Sequence, residues 1–161
     1  MPEMKWKATP KAKVYEAWSA LADGRVSLVG EREAAVESSD RAKTYKVVWT
    51  EDRRAFGAND NASYFVGYMG YPILATAMRL GLISYDTTII DEFRDINWNK
   101  LNEIYKRRYD AVVDYVISQI EKSGRGSSDQ IRQHADTVFS EFKALKLGRI
   151  SPPGEPPKRS L

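Results

Sequence analysis

Apolar positions are densest between Ala62 and Ile83, where Arg79 carries the one charge. A helix that is apolar on every side is either a membrane span or the centre of a packed domain. Ser63, Gly67, Gly70, Pro72, Thr76, the tyrosines and Arg79 all make insertion into a bilayer costly, so the stretch reads as soluble core with no membrane partner. Pro72 divides it, because proline is harmless at a first helical position and disruptive inside a helix. Residues 61–69 are therefore predicted to be an irregular or helical aromatic segment. Pro72 to Leu80 is predicted to be a buried helix closed by Gly81, with Ile73, Leu74, Ala77, Met78 and Leu80 in the core.

The pattern on either side supplies the remaining elements. Thr9 and Pro10 read as an N-cap and a first helical residue, followed by Val14, Ala17, Trp18 and Leu21 at helical spacing until Asp23-Gly24. The period then falls to two. Strands are predicted around Val26–Leu28, Glu33–Glu37, Thr44–Trp49 and Arg54–Gly57, the third with Tyr45, Val47 and Trp49 on its buried face. Asp86 reads as the cap of a short helix. Asn97 reads as the cap of the longest helix, whose stripe Trp98, Leu101, Tyr105, Tyr109, Val112, Val116, Ile120 is widened by Ile104, Val113 and Ile117 and runs to Gly124. Ser127 and Gln130 form a capping box before a last stripe, Ile131, Ala135, Val138, Phe142, Leu145, closed by Gly148.

These elements predict an α+β fold: an N-terminal helix, a small antiparallel β-meander of three to four strands, then a C-terminal cluster of about four helices. Residues 1–8 are expected to be a flexible basic N-terminus, 9–148 a single domain, and 149–161 a disordered proline-rich basic tail. A chain of 161 residues is long enough to bury a stable core without metals or disulfides.

Composition narrows the chemistry. With no cysteine and a single histidine, His134, thiolate–imidazole zinc sites and disulfides are excluded. No apolar run follows the first lysines as a signal peptide requires, so a cytoplasmic location is expected. Absent cysteine and abundant charge point to a thermophile. The net charge is +3, and its location matters more than its size. Residues 1–13 carry four lysines against Glu3, and 149–161 carry three basic residues against Glu155. Of 25 basic and 22 acidic residues, 18 and 20 remain between them. The basic character thus belongs to the ends.

No nucleophile elbow, phosphate-cradling glycine loop or paired-histidine motif is present, so no catalytic residue, metal or cofactor is assigned. Asp60, beside the aromatic segment, is the one carboxylate in an apolar setting. Asn59, Asp60 and Asn61 lack the acidic series of a calcium loop. Two binding readings remain. Lys43, Lys46, Arg53, Arg54, Lys106, Arg107, Arg108, Lys158 and Arg159 offer sequence-unspecific nucleic-acid contacts to phosphate. The long helix stripes offer instead a surface for protein partners or self-association. Tyr64, Phe65, Tyr68 and Tyr71 either line a ligand pocket or pack as core.

The short sheet followed by Asn59-Asp60-Asn61-Ala62 and Gly70-Tyr71-Pro72 resembles small archaeal proteins of unassigned function, over about residues 13 to 110. That resemblance implies no activity.

Overall fold

The computed structural model describes residues 5–158. Among these, one five-stranded sheet runs in the order β1 (Val26–Gly30), β2 (Glu33–Glu37), β3 (Thr44–Trp49), β4 (Ala55–Ala58), β5 (Gly148–Arg149). The first four strands form the antiparallel meander, and β5 adds to β4 in parallel. Register places Ala34 opposite Val47, Val36 opposite Tyr45 and Trp49 opposite Phe56, so these buried residues share one face. Glu33, Glu37, Thr44 and Lys46 occupy the other, as period-two alternation requires.

The helices are α1 (Ala12–Ala22), α2 (Tyr71–Arg79), α3 (Thr87–Asp91), α4 (Trp98–Ile104), α5 (Tyr109–Lys122) and α6 (Ser128–Leu145), with a π-helical turn at Ala62–Val66. Helix α2 touches β1, β2, β3 and β4 on one side and α1 on the other, while α1 also meets α3, α5 and α6. The molecule is therefore layered as sheet, α2, α1, outer helices. That middle position explains why Pro72 to Met78 is buried on every side. Proline stands at the start of α2 and Gly81, with φ +81°, ends it. Leu80, expected in the core, is only half-buried, because the helix has already reached the surface at Arg79.

Predicted caps form at three helices. Asp86 accepts from Thr88 and Ile89, Asn97 from Lys100, and Ser127 from Gln130. Thr9 does not cap α1; its hydroxyl donates to the Met69 carbonyl at 3.1 Å and fastens the N-terminal segment to the α2 approach. The N-terminus expected to be free is likewise tied down where it is described. Trp6 Nε1 donates to Gly148 O at 2.9 Å and Lys7 N to Gly67 O at 2.8 Å.

Two further expectations are corrected. The single long helix is two, broken after Ile104, with Lys106 and Arg107 in left-handed conformations (φ +53° and +62°). Ile104, assigned to the buried stripe, is 60 % exposed as a result. No glycine or proline marks the break, so packing alone imposes it, at a cost of about 1–2 kcal/mol per left-handed residue. Beyond it, Val112, Val113, Val116, Ile117 and Ile120 on α5 and Ile131, Ala135, Val138 and Phe142 on α6 are buried in the core.

The other correction concerns the tail, which begins as β5 and continues against β4. Ile150 N donates to Phe56 O, and Asn59 Nδ2 donates to Glu155 O at 3.1 Å. Gly57 makes the approach possible: a Cβ there would stand 2.7 Å from the Ile150 and Ser151 carbonyl oxygens. Gly57→Ala is thus expected to lift residues 150–155 from the sheet and cost about 1–3 kcal/mol, as overpacking against backbone does. Limited proteolysis checks this, with cleavage between Ile150 and Lys158 accelerating before any cut in the core.

Candidate functional site

A cleft of about 640 Å³ opens between the first turn of α1, the Asp60–Tyr71 segment and the α4–α5 link. That volume lies within the range of small-molecule sites. Its walls come from elements whose local conformations are unusual: the π-helical turn, a type of irregularity frequent at functional sites, and the left-handed pair Lys106–Arg107.

Lys13 and Glu16 stand one turn apart on α1, a helix buried on all sides from Ala12 to Ala20. Their ion pair measures 2.8 Å, with side chains 8 % and 6 % exposed. Asn102 Nδ2 donates to Glu16 Oε1 at 3.3 Å, and the Lys13 ammonium lies 4.2 Å from the centre of the Tyr109 ring. Burial works against the lysine's charge, but the Glu16 carboxylate more than offsets it and holds the ammonium above its ordinary pKa. Burial raises the Tyr68 pKa, and the neighbouring Tyr109 adds to the rise while Lys13 opposes it.

Asp60 lies deeper, 5 % exposed. Its Oδ2 accepts from Ser63 N at 3.2 Å, while Ser63 Oγ accepts from Gly70 N at 3.1 Å. Oδ1 is buried without a hydrogen-bond partner among the described residues. Gly70 is required beside it, since a Cβ would collide with Oδ2. Burial dominates and raises the Asp60 pKa despite the bonds from Ser63 and the charge of Lys13. The folded state thus binds the Asp60 proton more tightly than the unfolded chain does. The associated stabilisation is complete below the unfolded value near 3.8 and is lost as pH rises through the raised folded value. Asp60→Asn is therefore expected to gain stability over the parent at neutral pH and lose that advantage toward pH 3, which urea titrations at several pH values would show.

Of the cations named from sequence, Lys43, Lys106 and Arg107 meet at this cleft. Lys46 lies exposed on the outer sheet face. Arg53 lines a smaller hollow with Glu31, Arg32, Trp49 and Glu51, and Arg54 is exposed beside it. Arg108 donates to Tyr105 O, Lys158 is exposed on the tail, and Arg159 lies outside the described residues. Of the aromatic set, Tyr68 and Tyr71 line the cleft. Tyr64 and Phe65 pack edge to face with each other instead, and Phe65 is 70 % exposed. Sequence reasoning missed Lys13, Glu16 and Asn102, and read Tyr109 as core. The available signal was a charged i, i+3 pair set among Val14, Tyr15, Ala17 and Trp18.

His134 is not part of this site. Its ring stacks on Trp18, 5.4 Å between centres, and among the described residues no group of three or more His, Asp or Glu is placed to hold a metal ion. Among the described residues no helix is long and apolar enough to cross a membrane.

The molecule is thus an α+β protein with a polar, ion-pair-floored cleft. The chain belongs to the family described as uncharacterised conserved protein UCP014422, whose model matches residues 6–148. That span includes all the residues lining the cleft and stops at the first residue of β5. No curated protein and no solved structure matches the chain.

Proposed function

We propose that the protein is a non-enzymatic binding protein whose cleft takes a small anionic ligand. The observation that carries this reading is the convergence of Lys43 with the adjacent pair Lys106 and Arg107, more than sixty positions later in the chain, on the rim of a cleft floored by buried polar groups. None of the three forms an ion pair among the described residues. Among titratable groups of the lining, Glu16 is paired with Lys13 and burial disfavours the charged form of Asp60, while Glu103 is the third acid. The local field therefore favours an anion. Holding Lys106 and Arg107 in left-handed backbone also fixes their approach to the rim.

Isothermal titration with pyrophosphate tests this. Binding is expected at low salt and should weaken as salt rises. Lys106→Ala and Arg107→Ala should each weaken it about tenfold, the loss of one charge-assisted hydrogen bond. Absence of binding at low salt overturns the reading.

Nucleic-acid association is the second reading, favoured by the same three cations. Against it, much of the basic N- and C-terminal charge is already engaged. Lys11 pairs with Asp136 at 2.7 Å, Lys13 with Glu16, and the Arg149 guanidinium lies over Trp6. Partner docking through the α5 and α6 stripes is the weaker alternative, because those stripes are buried. A cytoplasmic, thermophilic and archaeal setting remains our reading of the composition and the resemblance, and a melting temperature above 90 °C would support its thermophilic part.

A further inference from the structure

The rim argues for an anion, and the floor argues for what the anion is attached to. We propose that the cleft binds a phosphorylated, hydroxyl-rich molecule, a polyol or sugar phosphate, with the phosphate at Lys43, Lys106 and Arg107 and a ligand hydroxyl meeting the carboxyl of Asp60. This rests on the anionic-ligand reading above and adds the class of the ligand.

Two observations select hydroxyls over an aromatic base. The first is the inventory of the floor. Asn99, Asn102, Tyr68 and Tyr109 add amide and hydroxyl groups to the same lining as Asp60. A hydroxyl both donates and accepts, so it can match such a set without leaving a buried group unpaired. The second is the state of the rings. A face of Tyr109 is covered by the Lys13 ammonium at 4.2 Å, and the Arg25 guanidinium lies over Tyr71 at 5.9 Å. Tyr71 also packs edge to face with Tyr45. Base recognition by stacking needs open aromatic faces, and here one face of Tyr109 and one of Tyr71 already carry a cation.

Asp60 is the group that most needs a ligand. A buried polar atom without a partner is costly, and native structures contain few such atoms without a functional or solvent explanation. Asp60 is 5 % exposed, lines the cleft and is held in place by Ser63 N, with Gly70 leaving it room. A ligand hydroxyl at the carboxyl adds to a hydrogen bonding that the protein itself leaves incomplete.

Calorimetric titration of the full chain with matched phosphates tests the inference. Propyl phosphate and glycerol 3-phosphate present the same anion and differ by two hydroxyls. We expect glycerol 3-phosphate and ribose 5-phosphate to bind at least tenfold more tightly than propyl phosphate. Asp60→Ala should abolish that advantage, and Asp60→Asn, which keeps a hydrogen-bonding group at the position, should restore it. Equal affinities for propyl phosphate and glycerol 3-phosphate in the parent protein would overturn the proposal even if the Asp60 variants failed to fold. So would an adenosine 5′-monophosphate affinity more than tenfold above that for ribose 5-phosphate, since the base would then be what is recognised. An Asp60→Ala protein that keeps the hydroxyl advantage would remove Asp60 from the assignment. If no phosphate binds at all, the anionic-ligand reading falls first, and this one with it.

Discussion

Glu16→Ala is expected to destabilise the protein by about 3–5 kcal/mol, the cost of leaving a buried charge without its partner. Lys13 has little alternative. Its side chain is 8 % exposed, its ion-pair partner is Glu16, and the Tyr109 ring on its other side offers a cation–π contact and no full compensation. Replacing both residues, as in Lys13→Met with Glu16→Leu, should cost far less than Glu16→Ala, because apolar groups of similar size carry no desolvation penalty. Urea unfolding of the two singles and the double gives the coupling. A single-mutant loss below about 1 kcal/mol, typical of exposed pairs, would show that solvent in the cleft already shares the charge. The pair's contribution has a pH signature. Because the folded pKa of Lys13 is raised, its stabilisation is fully present below the unfolded value near 10.5 and fades as pH rises through the raised value. The parent and double variant should therefore converge only in alkali.

Truncating Leu74 to alanine is expected to cost about 2–5 kcal/mol, from lost transfer free energy and a cavity that the surroundings cannot fully close. Leu74 has no exposed surface, and α2 is clamped between the sheet and α1, so neither neighbour can collapse inward without giving up its own contacts. The rim cations are on other elements, so pyrophosphate affinity should be retained at temperatures where the variant stays folded. Equilibrium urea titration is the measurement. A change within about 0.5 kcal/mol, the range of surface substitutions, would contradict the layered packing.

The sequence and the structure part company at identifiable residues. Periodicity located the strands and most helices because burial on one face repeats locally along the chain. It failed at Ile104, Lys106 and Arg107, where a continuous helical stripe hides a break. That break contains no glycine, although two successive residues adopt positive φ. Composition likewise made the proline-rich end look free. Its anchoring depends on Gly57, more than ninety positions earlier, having no side chain. The candidate site was legible only in fragments: Lys43, Lys106 and Arg107 as scattered cations, Tyr68 and Tyr71 as aromatics, Asp60 as a carboxylate in an apolar setting.

By itself the chain determined the central helix, its proline start and glycine stop, the meander and the caps at Asp86, Asn97 and Ser127, since each follows from contacts between residues close in sequence. Tertiary structure decided that Lys13 and Glu16 become a buried pair, that Asp60 keeps one oxygen unpartnered beside Gly70, and that the α4–α5 link turns two cations onto the rim. Desolvation and charge pairing depend on which distant segments exclude water from a group, and that is set only when the layers close.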